Sequence, residues 1–111
     1  QIITKCKVLI LGITFKENFS DIRNTKVPII YKELLENNVK VDIYDKHANH
    51  EEVNKLYGIK LLNNLSKKYH AIIITVPHDE FLDLKYEDFI EESGFIFDLK
   101  NCLKRNDTLK L

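Results

Sequence analysis

Residues 71–76 read AIIITV, the most continuous apolar run in the chain. A β-branched run of this kind is typical of a central parallel strand that is covered on both faces. Shorter apolar runs predict buried strands at residues 7–11 and 95–97, and the alternation of apolar and polar residues predicts another strand at residues 39–44. A last edge segment is predicted at residues 109–111, after a polar turn at residues 104–107.

Helical patterns separate these strands, and three helices are predicted at about residues 25–37, between residues 49 and 58, and at residues 84–92. Asn24 or Thr25 is the expected cap of the first helix. Asn49 and Glu52 have the spacing of a capping box, and Gly58 is the expected end of the second helix. The alternation predicts an α/β fold, a Rossmann-like three-layer sandwich whose mainly parallel sheet has helices on both faces.

The length and composition are those of one globular domain, predicted to occupy residues 1–111. Apolar residues make up 44% of the chain and charged residues 31%, which excludes disordered and low-complexity classes. No stretch approaches the roughly 20 apolar residues that span a bilayer. The chain begins with Gln1 rather than Met and contains no methionine, so we expect it to be a piece of a longer protein. Its start also lacks the basic-then-apolar pattern of a secretory signal, and we expect that protein to be cytoplasmic.

The charges balance overall but are unevenly distributed. There are 17 basic and 17 acidic residues, which argues against generic binding to nucleic acid or to a membrane surface. Residues 1–26 hold five basic residues against two acidic ones, whereas residues 79–92 hold seven acidic residues against one lysine. The basic segment predicts a local anion site, and the acidic run is interpreted as a solvated helix face.

The long loop after the first strand is the most informative candidate site. Ligands of open α/β sheets bind beyond the carboxyl ends of the strands, and this loop leads from such an end to a helix N-terminus. The loop holds only Gly12, so the GxGxxG fingerprint of dinucleotide binding is absent. Lys16 and Arg23 instead suit a phosphate group. By spacing alone, they could equally pair with Glu17 and Asp21 at the surface.

Four segments resemble one known family. They are residues 12–25 (GITFKENFSDIRNT), 41–45 (VDIYD), 71–81 (AIIITVPHDEF) and 96–100 (IFDLK). Together they are similar, in order and over nearly the whole chain, to the C-terminal domain of UDP-glucose/GDP-mannose dehydrogenases. The variant most resembles bacterial dehydrogenases of UDP-N-acetylhexosamines, which feed capsule and O-antigen synthesis.

The resemblance implies a division of labour in a longer, dimeric or higher homo-oligomeric enzyme. In that family an N-terminal Rossmann domain binds NAD, and the C-terminal domain binds the UDP part of the substrate. The enzyme oxidises the sugar C6 alcohol to a carboxylate through a cysteine thioester. The catalytic cysteine lies upstream of this domain, so no catalytic residue is expected in this chain. Cys6 and Cys102 do not match it and are interpreted as packed thiols.

The resemblance also implies roles for individual residues. Phe15 and Lys16 match a pair that lines the nucleotide-sugar site, and Arg23 matches an arginine that reaches across the interdomain cleft to NAD. Lys100 lies near a position where many members have an arginine that holds the nucleotide. Lysine keeps the charge there but lacks the planar fork of arginine. Asp45 is followed by Lys46 where relatives often have proline.

The histidines and Asp45 are candidates for other roles. His47, His50, His70 and His78 have no cysteine or carboxylate cluster at ligand spacing, so no metal site is predicted. His78 could face the substrate cleft, but we favour a role in capping the turn that follows it. Asp45 is interpreted as a turn-forming residue.

Two alternatives to a substrate-binding domain stay open. One is a free-standing, non-catalytic α/β nucleotide-binding module, which a sequence upstream of Gln1 without a GxGxxG region would favour. The other is a structural interface module, for which replacing Lys16 or Arg23 would leave ligand binding unchanged.

Overall fold

The structure is a computed structural model that describes residues 6–16 and 18–99 and the backbone of one further strand. The strands of its five-stranded sheet are β1 (Lys7–Leu11), β2 (Lys40–Tyr44), β3 (Tyr69–Ile74), β4 (Ile90–Asp98) and β5 (Thr108–Lys110). Their spatial order is β2-β1-β3-β4-β5, and every pairing is parallel. The predicted α/β class is confirmed, and the predicted central strand lies in the middle of the sheet. The turn predicted at residues 104–107 lies outside the described residues.

Both faces of the sheet are buried, which explains the uninterrupted apolar runs of the sequence. In β1, Val8 and Ile10 lie in one core cluster, and Leu9 and Leu11 lie in the cluster on the opposite face. The four side chains are at most 7% exposed. A strand with apolar neighbours above and below has no reason to alternate with polar residues.

The helices confirm most of the local signals. Helix α1 spans Val27–Glu36 and helix α2 spans His50–Tyr57. The Asn49 side chain accepts a hydrogen bond from the Glu52 N–H at 3.0 Å, and Gly58 ends α2 at a φ of 69°. Helix α1 starts differently from the prediction because Lys26 occupies its cap position. Thr25 Oγ1 accepts from the Val27 N–H at 3.3 Å from just outside the helix.

The predicted acidic helix at residues 84–92 is wrong. The chain forms a short helix α3 (Asp79–Leu82), then a 3₁₀ turn (Tyr86–Asp88), and β4 already begins at Ile90. Tyr86 is buried, and its hydroxyl donates to the Phe81 carbonyl at 2.6 Å. This aromatic anchor and the pairing of Ile90 with Tyr69 outweigh the helical preference of the acidic residues.

The two faces of the sheet are covered unequally. Helices α1 and α2 both contribute to the cluster that contains Val8, whereas the opposite cluster is covered by α3, the 3₁₀ turn and the segment around Leu62. Leu61 belongs to the first cluster and Leu62 to the second, and the Leu62 N–H donates to the Ile43 carbonyl at 2.9 Å. The chain therefore crosses from one face to the other along the outer edge of β2. Within the described part of the chain, no helix is long and apolar enough to cross a membrane.

Candidate functional site

The site is organised by the loop between β1 and α1, residues 12–26, which leaves the sheet where the strand order reverses between β1 and β3. Ligand crevices of open α/β sheets form at such reversals. Gly12 begins the loop at a φ of 105°, and a Cβ added there would lie 2.6 Å from Val76 Cβ. Only glycine fits this close approach, so Gly12 has a packing role and is not a remnant of a phosphate-binding fingerprint.

The middle of the loop turns back on itself and projects three side chains. The Phe15 N–H donates to the Asp21 carbonyl at 2.6 Å, which closes the loop. Phe15 and Phe19 are 56% and 52% exposed, and Lys16 is exposed. Lys16 Nζ lies 4.4 Å from the centroid of the Phe19 ring, a cation–π contact. We call these three side chains, Phe15, Lys16 and Phe19, the loop tip.

Arg23 lies beyond the loop tip and pairs with its own segment. Its Nε donates to Asp21 Oδ1 at 3.1 Å, and both groups face solvent. The hydrogen bond from Arg23 lowers the pKa of the Asp21 carboxyl. The alternative of surface pairing is thus realised for Arg23, while Glu17 lies outside the described residues.

An open cleft of about 810 Å³ lies between this end of the loop and α2. The Tyr57 hydroxyl donates to the Ile22 carbonyl at 2.6 Å and ties the loop to α2. The lining residues are Ser20, Asp21, Ile22, Arg23, Glu52, Lys55 and Leu56. Two basic and two acidic side chains share this surface with the apolar Leu56, so the cleft has no dominant charge.

A buried polar cluster holds the loop from behind, and sequence reasoning missed it. Asp45, Thr14 and His78 are at most 1% exposed, and we call these three residues the anchor cluster. Asp45 Oδ2 accepts hydrogen bonds from the Ile13 N–H at 2.7 Å and the Thr14 N–H at 3.2 Å, and Oδ1 accepts from the His47 N–H at 2.8 Å. Asp45 was expected to form its own turn, and it does so through His47, but it also clamps the start of the β1–α1 loop.

The Asp45 carboxylate is stabilised in its charged form. Burial acts to raise the pKa of this carboxyl, but the hydrogen bonds from His78, Ile13 and His47 outweigh burial and hold the pKa below its ordinary value. An ionised carboxylate inside the fold is acceptable because donors surround it on several sides.

His78 lies at the centre of this arrangement. Its Nε2 is 2.9 Å from Asp45 Oδ2 and 3.1 Å from Thr14 Oγ1, and its Nδ1 accepts from the Asn18 N–H at 2.8 Å. The prediction that His78 caps the following turn is wrong for its side chain, which makes no capping bond to α3. The His78 carbonyl does accept from the Phe81 N–H at 2.9 Å, so the residue caps α3 through its backbone. Its side-chain bonds go to Asp45, directly after β2, and to the β1–α1 loop. Its place after a central strand was the signal that could have identified this arrangement.

The remaining candidate residues lie outside the anchor cluster and the loop tip. The His47 ring lies against the His78 ring at 4.1 Å between centroids, and its Nε2 is 3.1 Å from Glu80 Oε1. Among the residues that the structure describes, no three His, Cys, Asp or Glu side chains are grouped to hold a metal ion. Cys6 packs against the cluster that contains Val8. Lys100 and Cys102 lie outside the described residues.

Comparisons with known proteins agree on one family. The family model described as the UDP-glucose/GDP-mannose dehydrogenase family, UDP binding domain, matches residues 9–105. A UDP-N-acetyl-D-glucosamine 6-dehydrogenase of Salmonella typhi is 44% identical over 100 residues, which is 86% of this chain and 24% of that protein. A protein of the same name from Pseudomonas aeruginosa is 40% identical over 102 residues, or 87% of this chain and 24% of that protein.

The fold agrees with a solved structure from the same group. The UDP-N-acetyl-mannosamine dehydrogenase Cap5O from Staphylococcus aureus matches with a TM-score of 0.73 and 27% identity, over 95% of this chain and 25% of that one. The chain spans about a quarter of the length of the curated relatives it matches. A family model that covers residues 9–105 shows membership, so the chain belongs to the UDP-glucose/GDP-mannose dehydrogenase family and corresponds to its UDP binding domain.

Proposed function

We propose that this chain is the substrate-binding part of a longer, NAD-dependent nucleotide-sugar 6-dehydrogenase. The parent protein would oxidise the C6 alcohol of a UDP-N-acetylhexosamine to a uronate for surface polysaccharide synthesis, in the capsule or O-antigen. It would act in the cytoplasm as a homodimer or higher homo-oligomer. The substrate class is supported by the relatives of 44% and 40% identity, whose names specify UDP-N-acetyl-D-glucosamine.

One observation carries the assignment of a ligand site to this chain. The loop tip is exposed at the point where the strand order reverses, while the backbone directly behind it is clamped by the anchor cluster. An exposed aromatic ring and an exposed cation on a fixed backbone suit the uracil base and the diphosphate of UDP, respectively. Phe15 would pack against the base, and Lys16 would neutralise the diphosphate. Lys100 would supply a second cation.

The NAD cofactor fits this chain only at its margin. A dinucleotide needs a glycine-rich turn for its pyrophosphate, and the one glycine of the β1–α1 loop is packed against Val76. The described residues therefore form no cradle for the cofactor. Arg23 is exposed and would contribute a single cationic contact to an NAD molecule held elsewhere in the longer protein. That cofactor would supply the hydride acceptor for the oxidation.

A titration of this chain with UDP tests the assignment. In ¹H–¹⁵N NMR spectra we expect UDP to shift the amide signals of Phe15, Lys16 and Asn18. Lys16→Ala should weaken binding about 10- to 100-fold, because a hydrogen bond to a charged group contributes roughly 1.5–3 kcal/mol.

Lys32→Ala is the matched control because Lys32 is an exposed lysine on α1, outside the loop. Equal loss of affinity in both variants would indicate nonspecific charge attraction. No shift of any loop amide at millimolar UDP would favour the structural interface module instead. Binding that is intact in this chain, combined with an upstream sequence lacking a nucleotide-binding region, would favour the free-standing nucleotide-binding module.

A further inference from the structure

Asn18 fastens the loop tip to the segment that follows β3. Its backbone N–H donates to His78 Nδ1 at 2.8 Å. Its side-chain amide donates to Asp79 Oδ1 at 3.2 Å, and its side-chain oxygen accepts from the Asp79 N–H at 3.1 Å. Asn18 has a φ of 60°, a conformation that asparagine tolerates better than most residues. The position of the loop tip therefore depends on whether Nδ1 of His78 can accept a hydrogen bond.

The hydrogen bonds determine which nitrogen of His78 carries the proton. A backbone N–H can only donate, so Nδ1 must present a lone pair to Asn18. The proton then lies on Nε2, where Asp45 Oδ2 accepts it at 2.9 Å. Thr14 Oγ1 donates to the Lys16 carbonyl at 3.1 Å and is left to accept from Nε2 as well. All four contacts are satisfied only by the neutral imidazole with its proton on Nε2.

The ring is surrounded by titratable groups from two directions. From the end of β2 it faces Asp45, and from the following turn the ring of His47 lies against it. From α3 come Asp79, which is bonded to Asn18, and Glu80, which contacts His47 Nε2. The β1–α1 loop presents a hydroxyl and a backbone N–H. A second proton on His78 would be attracted by Asp45, but it would occupy Nδ1 and remove the acceptor of the Asn18 N–H.

We propose that His78 is a positioning residue for the nucleotide-binding loop: as the neutral Nε2–H tautomer held by Asp45 it fixes Asn18 and with it Phe15 and Lys16, and protonation at Nδ1 releases them. The inference rests on the proposed function only in its ligand, the UDP moiety. Its structural half concerns the coupling between a buried imidazole and an exposed loop. Binding of UDP should consequently weaken at a pH where His78 becomes charged.

The tautomer can be tested without any ligand. Long-range ¹H–¹⁵N NMR spectra of this chain at about pH 8 should show a pyridine-like Nδ1 and a pyrrole-like Nε2 for His78. On acidification, the protection factor of the Asn18 amide proton, which corrects for the slower base-catalysed intrinsic exchange at lower pH, should fall together with the protonation of His78. A proton found on Nδ1 at about pH 8, or an Asn18 amide that is indifferent to His78 protonation, would overturn the inference.

Two substitutions separate the two bonds of the ring. In His78→Asn, the shorter side chain can still offer an oxygen near the position of Nδ1, so UDP affinity at about pH 8 should stay within about threefold of the unmodified chain. In His78→Gln, the longer amide can still donate toward Asp45 but cannot also accept from Asn18, so affinity should fall about tenfold. Neither variant carries a titratable group at this position, so any pH dependence of UDP affinity that His78 causes should be absent from both.

His70→Asn is the matched control, since His70 also accepts a backbone N–H through Nδ1, from Lys7 at 3.1 Å, but at the start of β1. It should keep the affinity and pH response of the unmodified chain, and it also accounts for titration of UDP itself. Asn18→Gly guards against misfolding of the His78 variants because it leaves the buried ring in place. It removes two side-chain bonds and should weaken binding while keeping the pH response.

The outcomes distinguish this inference from the proposed function. Equal UDP affinity of the His78→Gln variant and the His70→Asn control would contradict the positioning role alone. A chain that binds no UDP, yet releases the Asn18 amide as His78 is protonated, contradicts the proposed function and supports the coupling.

Discussion

The anchor cluster and the loop tip meet on the β1–α1 loop, where Thr14 directly precedes Phe15, yet they differ in burial and in hydrogen bonding. Thr14, Asp45 and His78 are at most 1% exposed, and each is bonded to a different strand end or loop. Phe15 and Phe19 are more than half exposed, and apart from one cation–π contact the tip side chains face solvent. The buried anchor cluster thus fixes the backbone conformation of the loop, and the exposed loop tip presents the side chains that can contact a ligand. Fixing a loop in advance reduces the entropy that a ligand must otherwise overcome in ordering it.

Removing the carboxylate of the anchor cluster should have the largest effect on stability. Asp45→Ala leaves the N–H groups of Ile13, Thr14 and His47 and the Nε2 of His78 without their acceptor. We expect the free energy of unfolding to fall by roughly 3–5 kcal/mol, measured by urea denaturation. Asp45→Asn keeps one oxygen acceptor and should lose less. Equal stability of Asp45→Ala and the unmodified chain would mean that the cluster does not hold the loop.

Acid should weaken the same region in a defined direction. The pKa of Asp45 is lower in the folded chain than in the unfolded one, so its contribution to stability is complete above the unfolded value of about 3.9 and is lost as the pH falls through the folded value. Urea denaturation at a series of pH values below about 5 should therefore show a shallower loss of stability for Asp45→Asn. Asp83→Asn, at an exposed position, is the control and should follow the unmodified chain. Parallel curves for all three proteins would contradict the assignment.

The smallest effect is expected at the loop tip. Phe15→Ala removes a ring that is 56% exposed, so the free energy of unfolding should change by less than about 0.5 kcal/mol. Phe81→Ala, at a fully buried ring, provides the contrast and should cost roughly 3–5 kcal/mol. UDP titration should show the reverse for Phe15→Ala, with weaker binding despite unchanged stability. A large loss of stability in Phe15→Ala would show that the tip is part of the core.

The sequence predicted the sheet and helix α2 well, because the patterns that specify these elements involve residues close together in the chain. The capping pair of Asn49 and Glu52 and the left-handed Gly58 are decided within one helix. The helix predicted at residues 84–92 is wrong because the structure of this segment depends on contacts with residues outside it. Tyr86 is held through Phe81, and Ile90 pairs with Tyr69 far back in the chain. An acidic pattern contains no information about either contact.

The candidate site shows the same difference between features set by the local sequence and features set by contacts between distant residues. The motif after β1 and the rule that sites form at strand ends directed attention to Phe15, Lys16 and Arg23, and the structure does place the first two at the solvent-exposed tip. The bond between Asp45 and His78 joins residues 33 positions apart, and its importance comes from complete burial. Burial of this pair cannot be inferred from residue type, since aspartate is mostly exposed in proteins and histidine is intermediate.

The crossing of the chain beside β2 has a consequence for how copies of this chain can associate. An uncovered edge strand offers its carbonyl and N–H groups to strands of other molecules, which is a common beginning of aggregation. At Ile43 the outward carbonyl already accepts the Leu62 N–H of its own chain. A second copy approaching along β2 would have to displace that segment and uncover Leu61 and Leu62, which pack into opposite faces of the core. This edge of the sheet is consequently protected by the same segment that connects α2 to β3.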